Sequence, residues 1–297
     1  MKATWTEPTD GPSPPHVLSK STAHILVTKS PLHAHLRKTK EHVEDATDEQ
    51  DQGSIVHAMI LGAGKRIVVL DVDNFRTKAA REARDRARAE GAIPIKAKDE
   101  EIVSAMARRL KRNIEALGFA FDGESEIGVR WFERSADEDM VECWGALDHY
   151  RPSRPEILDL KIVRNAHPDA CRKHLLTFAG DIQAIAYTRA VEAIEPRLQG
   201  RVRFVFLFCE LYTGAVTPIE LDGDFRRLGE LKWQRAVNTW ARCLRTDEWP
   251  AYATGAVRLS PPPWAIEAEM TAQYDDNHRS FDLPAGDDAG DEDNDYE

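Results

Sequence analysis

The sequence predicts an α/β (α+β) fold: one domain in which a central mixed sheet is flanked by helices. Three observations carry that expectation. Helical patterns fill the N-terminal third, strand patterns cluster from about residue 125, and a helical stretch then separates that cluster from two further strands and a closing helix. No internal repeat breaks this order.

Residues 1–16 are rich in proline and polar side chains and are expected to be disordered. Ser21 offers a cap to AHILVTKS, which ends before Pro31, and PLHAHLRK begins a second helix. The polar stretch 39–52 reads as a loop. GSIVHAMILGA (53–63) reads as a helix with Ile55, Met59 and Ile60 inward, and KRIVVLD (65–71) as a short strand. RTKAAREARDRARAEG favours a helix up to its stop at Gly91. KDEEIVSAMARRLKRNIEAL is amphipathic, with Ile102, Met106 and Leu110 on its apolar face. SEIGVRWFER and DMVECWGALDHY then read as strands joined by SADED, and ILDLKIV follows the turn RPSRPE. Residues 168–195 form one long helical stretch. RVRFVFLFCEL and AVTPIEL are strands parted by YTG, and DFRRLGELKWQRAVNTWARCLRT closes the domain. The expected domain spans 17–262, with an acidic, disordered tail at 263–297.

With 42% hydrophobic residues in 297, the chain can bury a substantial core. It has no apolar run long enough for a membrane span and no apolar N-terminal segment of the secretory kind. Cys143, Cys171, Cys209 and Cys243 form no CxxC pair, which argues against zinc and iron–sulfur sites and suits a reducing, cytoplasmic setting. The net charge of −11 is unevenly spread. Residues 275–297 hold ten acids and one arginine, whereas 76–112 hold twelve Lys/Arg against six Asp/Glu. That basic segment is either a solvated helix face or a surface for a polyanion.

The chemistry concentrates in GALDHYRPSRPEILDLKIV (145–163). On a strand, Asp159 and Lys161 share one face, and Trp144, Ala146 and Asp148 share one face of the preceding strand. A hairpin turning near Ser153–Arg154 sets Asp148 roughly opposite Asp159, with cross-strand Cβ atoms about 5 Å apart. Two carboxylates and a backbone carbonyl are hard oxygen ligands suited to Mg²⁺ or Mn²⁺, and a lysine beside them can orient an attacking water. Without a metal the two carboxylates repel and one tends to protonate. The other reading is an exposed strand edge on which Lys161 pairs with an aspartate.

The neighbouring motifs point one way. The chain resembles the PD-(D/E)xK nuclease superfamily, most closely its phage RecE-like (exonuclease VIII) 5′–3′ exonuclease branch and more distantly the lambda exonuclease. The likeness runs over about residues 17–252. It rests on LSKSTAHILVTKSPLHAHL, GSIVHAMIL with its single histidine, EIGVRWF followed by ECWGALDHY, ILDLKIV, Gln183-x-x-x-Tyr187 and WPAY. Leu147 stands where the family often has arginine.

The resemblance implies a metal-dependent exonuclease that hydrolyses linear duplex DNA in phage-type recombination or repair. Asp148, Asp159 and the Leu160 carbonyl would hold Mg²⁺, with Mn²⁺ as a substitute, and Lys161 would position the water. Glu126 would be the upstream acid, ahead of Glu124, and His57 would face the metal or be a hydrogen-bonded core histidine. Gln183 and Tyr187, on one helix face, would contact substrate or water, or serve as core and rim. Double-stranded DNA ends, a homo-oligomeric ring and a single-strand annealing recombinase are the implied partners. An inactive nuclease-fold module that binds DNA or protein, a sequence-independent endonuclease and an iron–sulfur nuclease are the alternatives; the cysteine spacing gives the last no support.

Overall fold

The long alternating stretches at the centre of the chain pair into a sheet, and a computed structural model describes that architecture for residues 2–7, 14–39, 48–253 and 255–278. The chain divides into two units, Met1–Tyr252 and Ala253–Glu297. Strands β1 (Thr4–Thr6), β4 (Glu124–Arg134), β5 (Met140–Arg151), β6 (Glu156–Val163), β7 (Arg203–Glu210) and β8 (Val216–Ile219) form one sheet in the order β1-β4-β5-β6-β7-β8. Only β6 and β7 run parallel, joined by α6 (Pro168–Thr177) and α7 (Gly180–Ile194). Strands β2 (Ile67–Leu70) and β3 (Ile93–Lys96) make a separate parallel pair, with α4 (Lys78–Ala89) as their crossover. The expected α/β architecture, a mixed sheet flanked by helices, is the one observed.

Two apolar layers cover the sheet. On one face Val129, Trp131, Leu147 and Ile157 pack against α1 (Lys20–Thr28), α7 and α8 (Gly223–Thr246), with Trp233 and Trp240 fully buried. On the other, Leu158, Leu160, Val205 and Leu207 pack against α3 (Asp48–Leu61) and α5 (Ala97–Ala116). Strand β6 is buried at its first five residues, as a central strand covered on both faces must be. WPAY lies against α2 (Pro31–Lys38): Pro250 accepts the Leu32 amide at 3.1 Å, and the Trp249 and Tyr252 rings meet His35 and His33.

Several sequence expectations differ from what is observed. Ser19, not Ser21, caps α1, its hydroxyl accepting the Thr22 amide. Within the segment expected to be disordered, Thr4–Thr6 pairs with β4 because Trp5 stacks on Tyr150 at 5.0 Å. The 168–195 stretch is two helices, broken at Ala179 in the left-handed region (φ 54°). Close packing fixes the break, since a Cβ on Gly180 would stand 2.3 Å from Leu175. Leu110 is buried as expected and Met106 partly so, but Ile102 is exposed, and Val103, Ala107 and Ile114 complete the buried face of α5. Strand β3 falls where the sequence pattern gives no element. In the segment expected to be a disordered tail, Pro263–His278 is helix α9, started by a proline at its first turn and built from good helix formers. The rest of the expected tail, 279–297, lies outside the described residues. No described helix is long and apolar enough to cross a membrane.

One close approach sets the height of the sheet over α7. A Cβ on Gly145 would stand 2.4 Å from Cε1 of Tyr187. Gly145→Ala is therefore expected to destabilise the domain by about 1–3 kcal/mol through overpacking. A urea titration checks this, with a lower midpoint at unchanged slope as the expected result.

Candidate functional site

Strands β5 and β6 pair over only three positions, His149↔Leu158, Tyr150↔Ile157 and Arg151↔Glu156. The turn end of this ladder is locked. Glu156, 2% exposed, accepts Arg151 Nη1 at 2.8 Å on one oxygen and Arg203 Nη1 at 2.6 Å on the other. Past His149 the strands part. Asp148 Oδ2 accepts the Leu160 amide at 2.8 Å, a side chain standing in for the next ladder carbonyl. Farther along, Leu18 takes the place of β6: its amide donates to the Glu142 carbonyl at 2.9 Å, and its carbonyl accepts Trp144 N–H at 3.0 Å. The start of α1 is thereby held in the fork.

The alternation of β5 is interrupted at Asp148. Leu147 and Tyr150 both pack on the α7–α8 side, whereas His149 meets Phe121 on the other. Across the strand pair, Ser125↔His149 and Ile127↔Leu147 are paired, and Glu126 between them has a left-handed backbone (φ 53°). Such a conformation costs a non-glycine residue about 1–3 kcal/mol and concentrates at functional sites. It brings Glu126 Oε1 to 3.5 Å from His57 Nδ1, while Asp148 Oδ2 lies 3.0 Å from His57 Nε2. One ligand atom from each of His57, Glu126 and Asp148 lies within 4.8 Å of the others.

The pKa directions follow from this crowding. Burial pushes Glu126 up, the Asp148 charge adds to it, and His57 opposes. Burial alone would depress His57, but its bond to Asp148 and the charges of Asp148 and Glu126 raise it. Burial alone would raise Asp148, yet His57, Lys161 and the Leu160 amide hold it below the usual carboxylate range. Glu124 is exposed, sits opposite Tyr150 and is not in the cluster. The N–H and C=O of one strand residue point the same way, so the Leu160 carbonyl faces the same gap as its amide.

Asp159 and Lys161 lie on the other side of β6, against α7. Asp159 is 1% exposed. Gln183 Nε2 donates to Asp159 Oδ2, and Lys161 Nζ donates to Gln183 Oε1 at 3.2 Å. Lys161 Nζ is also 2.6 Å from Asp159 Oδ1, but that buried oxygen receives no aligned hydrogen bond. Burial, with the Asp148 charge, raises Asp159 against the pull of Lys161 and Lys20. Burial works against the Lys161 charge, and the two aspartates outweigh it, so its pKa rises. Tyr187 is buried against Gly145, and its pKa is raised by burial and by the Asp159 and Asp148 charges. Hence the two aspartates do not share one three-ligand cluster: Asp148 joins His57 and Glu126, and Asp159 joins Lys161 and Gln183.

A cleft of about 760 Å³ opens beside the cluster, lined by His57, Glu126, Ser54, Lys65, Trp144 and Ala146 among others. Sequence reasoning missed Lys20, Lys65 and Trp144. Lys20 sits in the first turn of α1, and burial together with the Lys161 charge pushes its pKa down to about 8. With the cap expected at Ser21, Lys20 falls outside the expected helix, and its proximity to β6 depends on the Leu18 bridge. The donor set of one imidazole and two carboxylates, His57, Glu126 and Asp148, fits a divalent cation.

Sequence comparison finds no matching family model and no matching curated protein. Among solved structures, the chain is similar to a candidate exonuclease from Eubacterium rectale: TM-score 0.55, 11% identity, covering 86% of this chain and 94% of that one. A phage-related exonuclease from Haemophilus somnus 129PT aligns with TM-score 0.32 and 13% identity over 78% of this chain and 96% of that one. The first likeness establishes the fold.

The cluster predicts its own titration. By calorimetry, Mn²⁺ is expected to bind the protein, and His57→Ala and Glu126→Gln each to weaken that binding by about tenfold or more. Glu124→Gln, two residues away and outside the cluster, is expected to leave it unchanged.

Proposed function

We propose that this protein is a metal-dependent deoxyribonuclease that digests linear duplex DNA from an end, 5′ to 3′, in phage-type recombination or repair. The observation that carries the proposal is the fork, where a His57–Glu126–Asp148 ligand set stands beside the Asp159–Lys161–Gln183 group. The fold shared with the E. rectale protein and the sequence likeness to RecE-like exonucleases support it; the polarity rests on that likeness alone.

The residues divide the work by charge. His57, Glu126 and Asp148, with the Leu160 carbonyl facing the gap, would hold the cation, and Asp159 stands behind the same gap. A divalent ion there supplies Lewis-acid charge against a phosphoryl oxygen. Lys161 stays cationic because two aspartates favour its ammonium, so it offsets negative charge that builds on the phosphate as water attacks. Gln183 fixes both Asp159 and Lys161 through one carboxamide, setting the lysine before the substrate arrives. Tyr187 acts from below, holding β5 at a fixed distance from α7.

End-labelled linear and closed-circular duplexes, incubated with Mg²⁺, Mn²⁺, Ca²⁺ or EDTA, test this. Linear DNA should shorten from its 5′ ends in Mg²⁺ or Mn²⁺, with circles intact and little or no reaction in Ca²⁺ or EDTA. Rapid nicking of circles would identify an endonuclease, and full activity in EDTA would end the metal reading. Lys161→Ala should lose about 10²–10³-fold or more in rate while still binding DNA, since its group serves the transition state.

The same likeness leads us to propose a ring of identical subunits, with the basic 76–112 segment toward the DNA, working with a single-strand annealing recombinase. Sedimentation showing only monomer at micromolar concentration would count against the ring.

A further inference from the structure

The cleft beside the ligand cluster has a feature that metal chemistry does not use. On β5 the even-numbered residues Glu142, Trp144, Ala146 and Asp148 are half-exposed while Val141, Cys143, Gly145 and Leu147 are buried, so one face of the strand forms an open floor. Trp144 and Ala146 line the cleft on that floor. Much of the remaining lining is small, with Gly53, Ser54, Ala58, Ala63 and Gly64 beside Ile93 and Ile162.

Trp144 differs from every other tryptophan of residues 2–252. Trp5 stacks on Tyr150, Trp131 on Trp233, and Trp240 meets Trp249. The indole N–H groups of Trp131, Trp233, Trp240 and Trp249 are all hydrogen-bonded. Among the described residues Trp144 has neither a ring partner nor a partner for its N–H. A half-exposed indole without a neighbour, facing a cavity, is an open stacking surface. Lys65, exposed on the rim behind Gly64, has no ion pair among the described residues and supplies a free positive charge to the same cleft.

We infer that Trp144 is a stacking platform for one unpaired base of the strand whose phosphate lies at the ligand cluster, with Lys65 on a neighbouring phosphate. The inference rests on the nucleolytic reading and adds a base subsite to it. Trp144 and Asp148 are four residues apart on one strand, about 13 Å, a span of at most about four nucleotides at a rise of about 3.4 Å each. Every base has a π-face, so the platform would hold the strand without reading its sequence.

An abasic scan tests this on the wild-type protein first. Linear duplex oligonucleotides, each with one abasic position at successive steps from the 5′ end, are measured for binding in Ca²⁺ by anisotropy and for cleavage in Mn²⁺. One position within about four nucleotides of the cleaved bond is expected to weaken binding and kcat/KM by about tenfold. Trp144→Ala should show the same loss on intact DNA and no further loss at that position. Trp144→Phe should recover most of the affinity together with the position effect. Lys65→Ala should weaken binding alike at all positions and lower the salt dependence. Mn²⁺ affinity should not change in the Trp144 variants.

Cleavage by the wild-type protein with no sensitive position, or with Trp144→Ala indistinguishable from it, overturns the subsite. No cleavage in any metal, with Trp144-dependent and position-sensitive binding intact, overturns the nuclease reading and upholds the subsite.

Discussion

The parting of β5 and β6 is the constraint on which the rest of the structure depends. Strands of twelve and eight residues would by default pair along most of their shared length, because buried amides and carbonyls must find partners. Here they pair at three positions and then diverge. The groups left over are met in two other ways, the Leu160 amide by the Asp148 carboxylate and the β5 edge by Leu18. Asp148 therefore closes the ladder and faces the gap with one oxygen. Its neighbours follow from the same event: the distorted backbone at Glu126, the approach of His57 from α3, and α1 seated in the fork.

The buried acids show which charges are structural. Glu156 has both oxygens taken by guanidinium groups. Glu133, 3% exposed, accepts two indole N–H groups on one oxygen and Arg189 on the other. Both are satisfied, as buried carboxylates in a stable core are. Asp159 is as deeply buried but keeps an oxygen without an aligned donor, and burial raises its pKa. That oxygen is held by the Lys161 ammonium at 2.6 Å alone, where Glu156 and Glu133 have aligned donors on both oxygens.

Much of this was legible in the chain, for a physical reason. Alternation, apolar runs and turn residues act locally, so the long strands, the β5–β6 hairpin and most helix positions could be read directly. The hairpin register extrapolates through His149↔Leu158, which would place Asp148 opposite Asp159 as the turn suggested. What periodicity could not reveal is that pairing stops one step earlier, sending the two aspartates to different neighbours. The short strand Thr4–Thr6 was hidden because a distant side chain, Tyr150 beneath Trp5, helps to place it, and the break at Ala179 because it rests on close packing of Leu175 on Gly180 rather than on a helix-breaking residue. Trp144 was placed on the face of Asp148 but not in a cleft, and Lys20 was hidden because the bridge at Leu18 joins segments more than a hundred residues apart.

Charge is distributed across the fork in a way that neither cluster shows alone. His57, Glu126 and Asp148 gather two carboxylates on the α3 side, where burial first and then the Asp148 charge raise Glu126 against the opposing pull of His57. On the α7 side burial, and after it the Lys161 charge, push Lys20 down to about 8 despite three aspartates within range. Two carboxylates thus stand on one side, and on the other two ammonium groups approach each other beside Asp159. A ligand that is itself divided, a cation bridging to a phosphate, would relieve both at once: the cation against Glu126 and Asp148, the anion toward Lys161 and Lys20. Neither a lone cation nor a lone anion would do so. Metal and phosphate bound together are therefore what the proposed function would ask of the way the two strands separate.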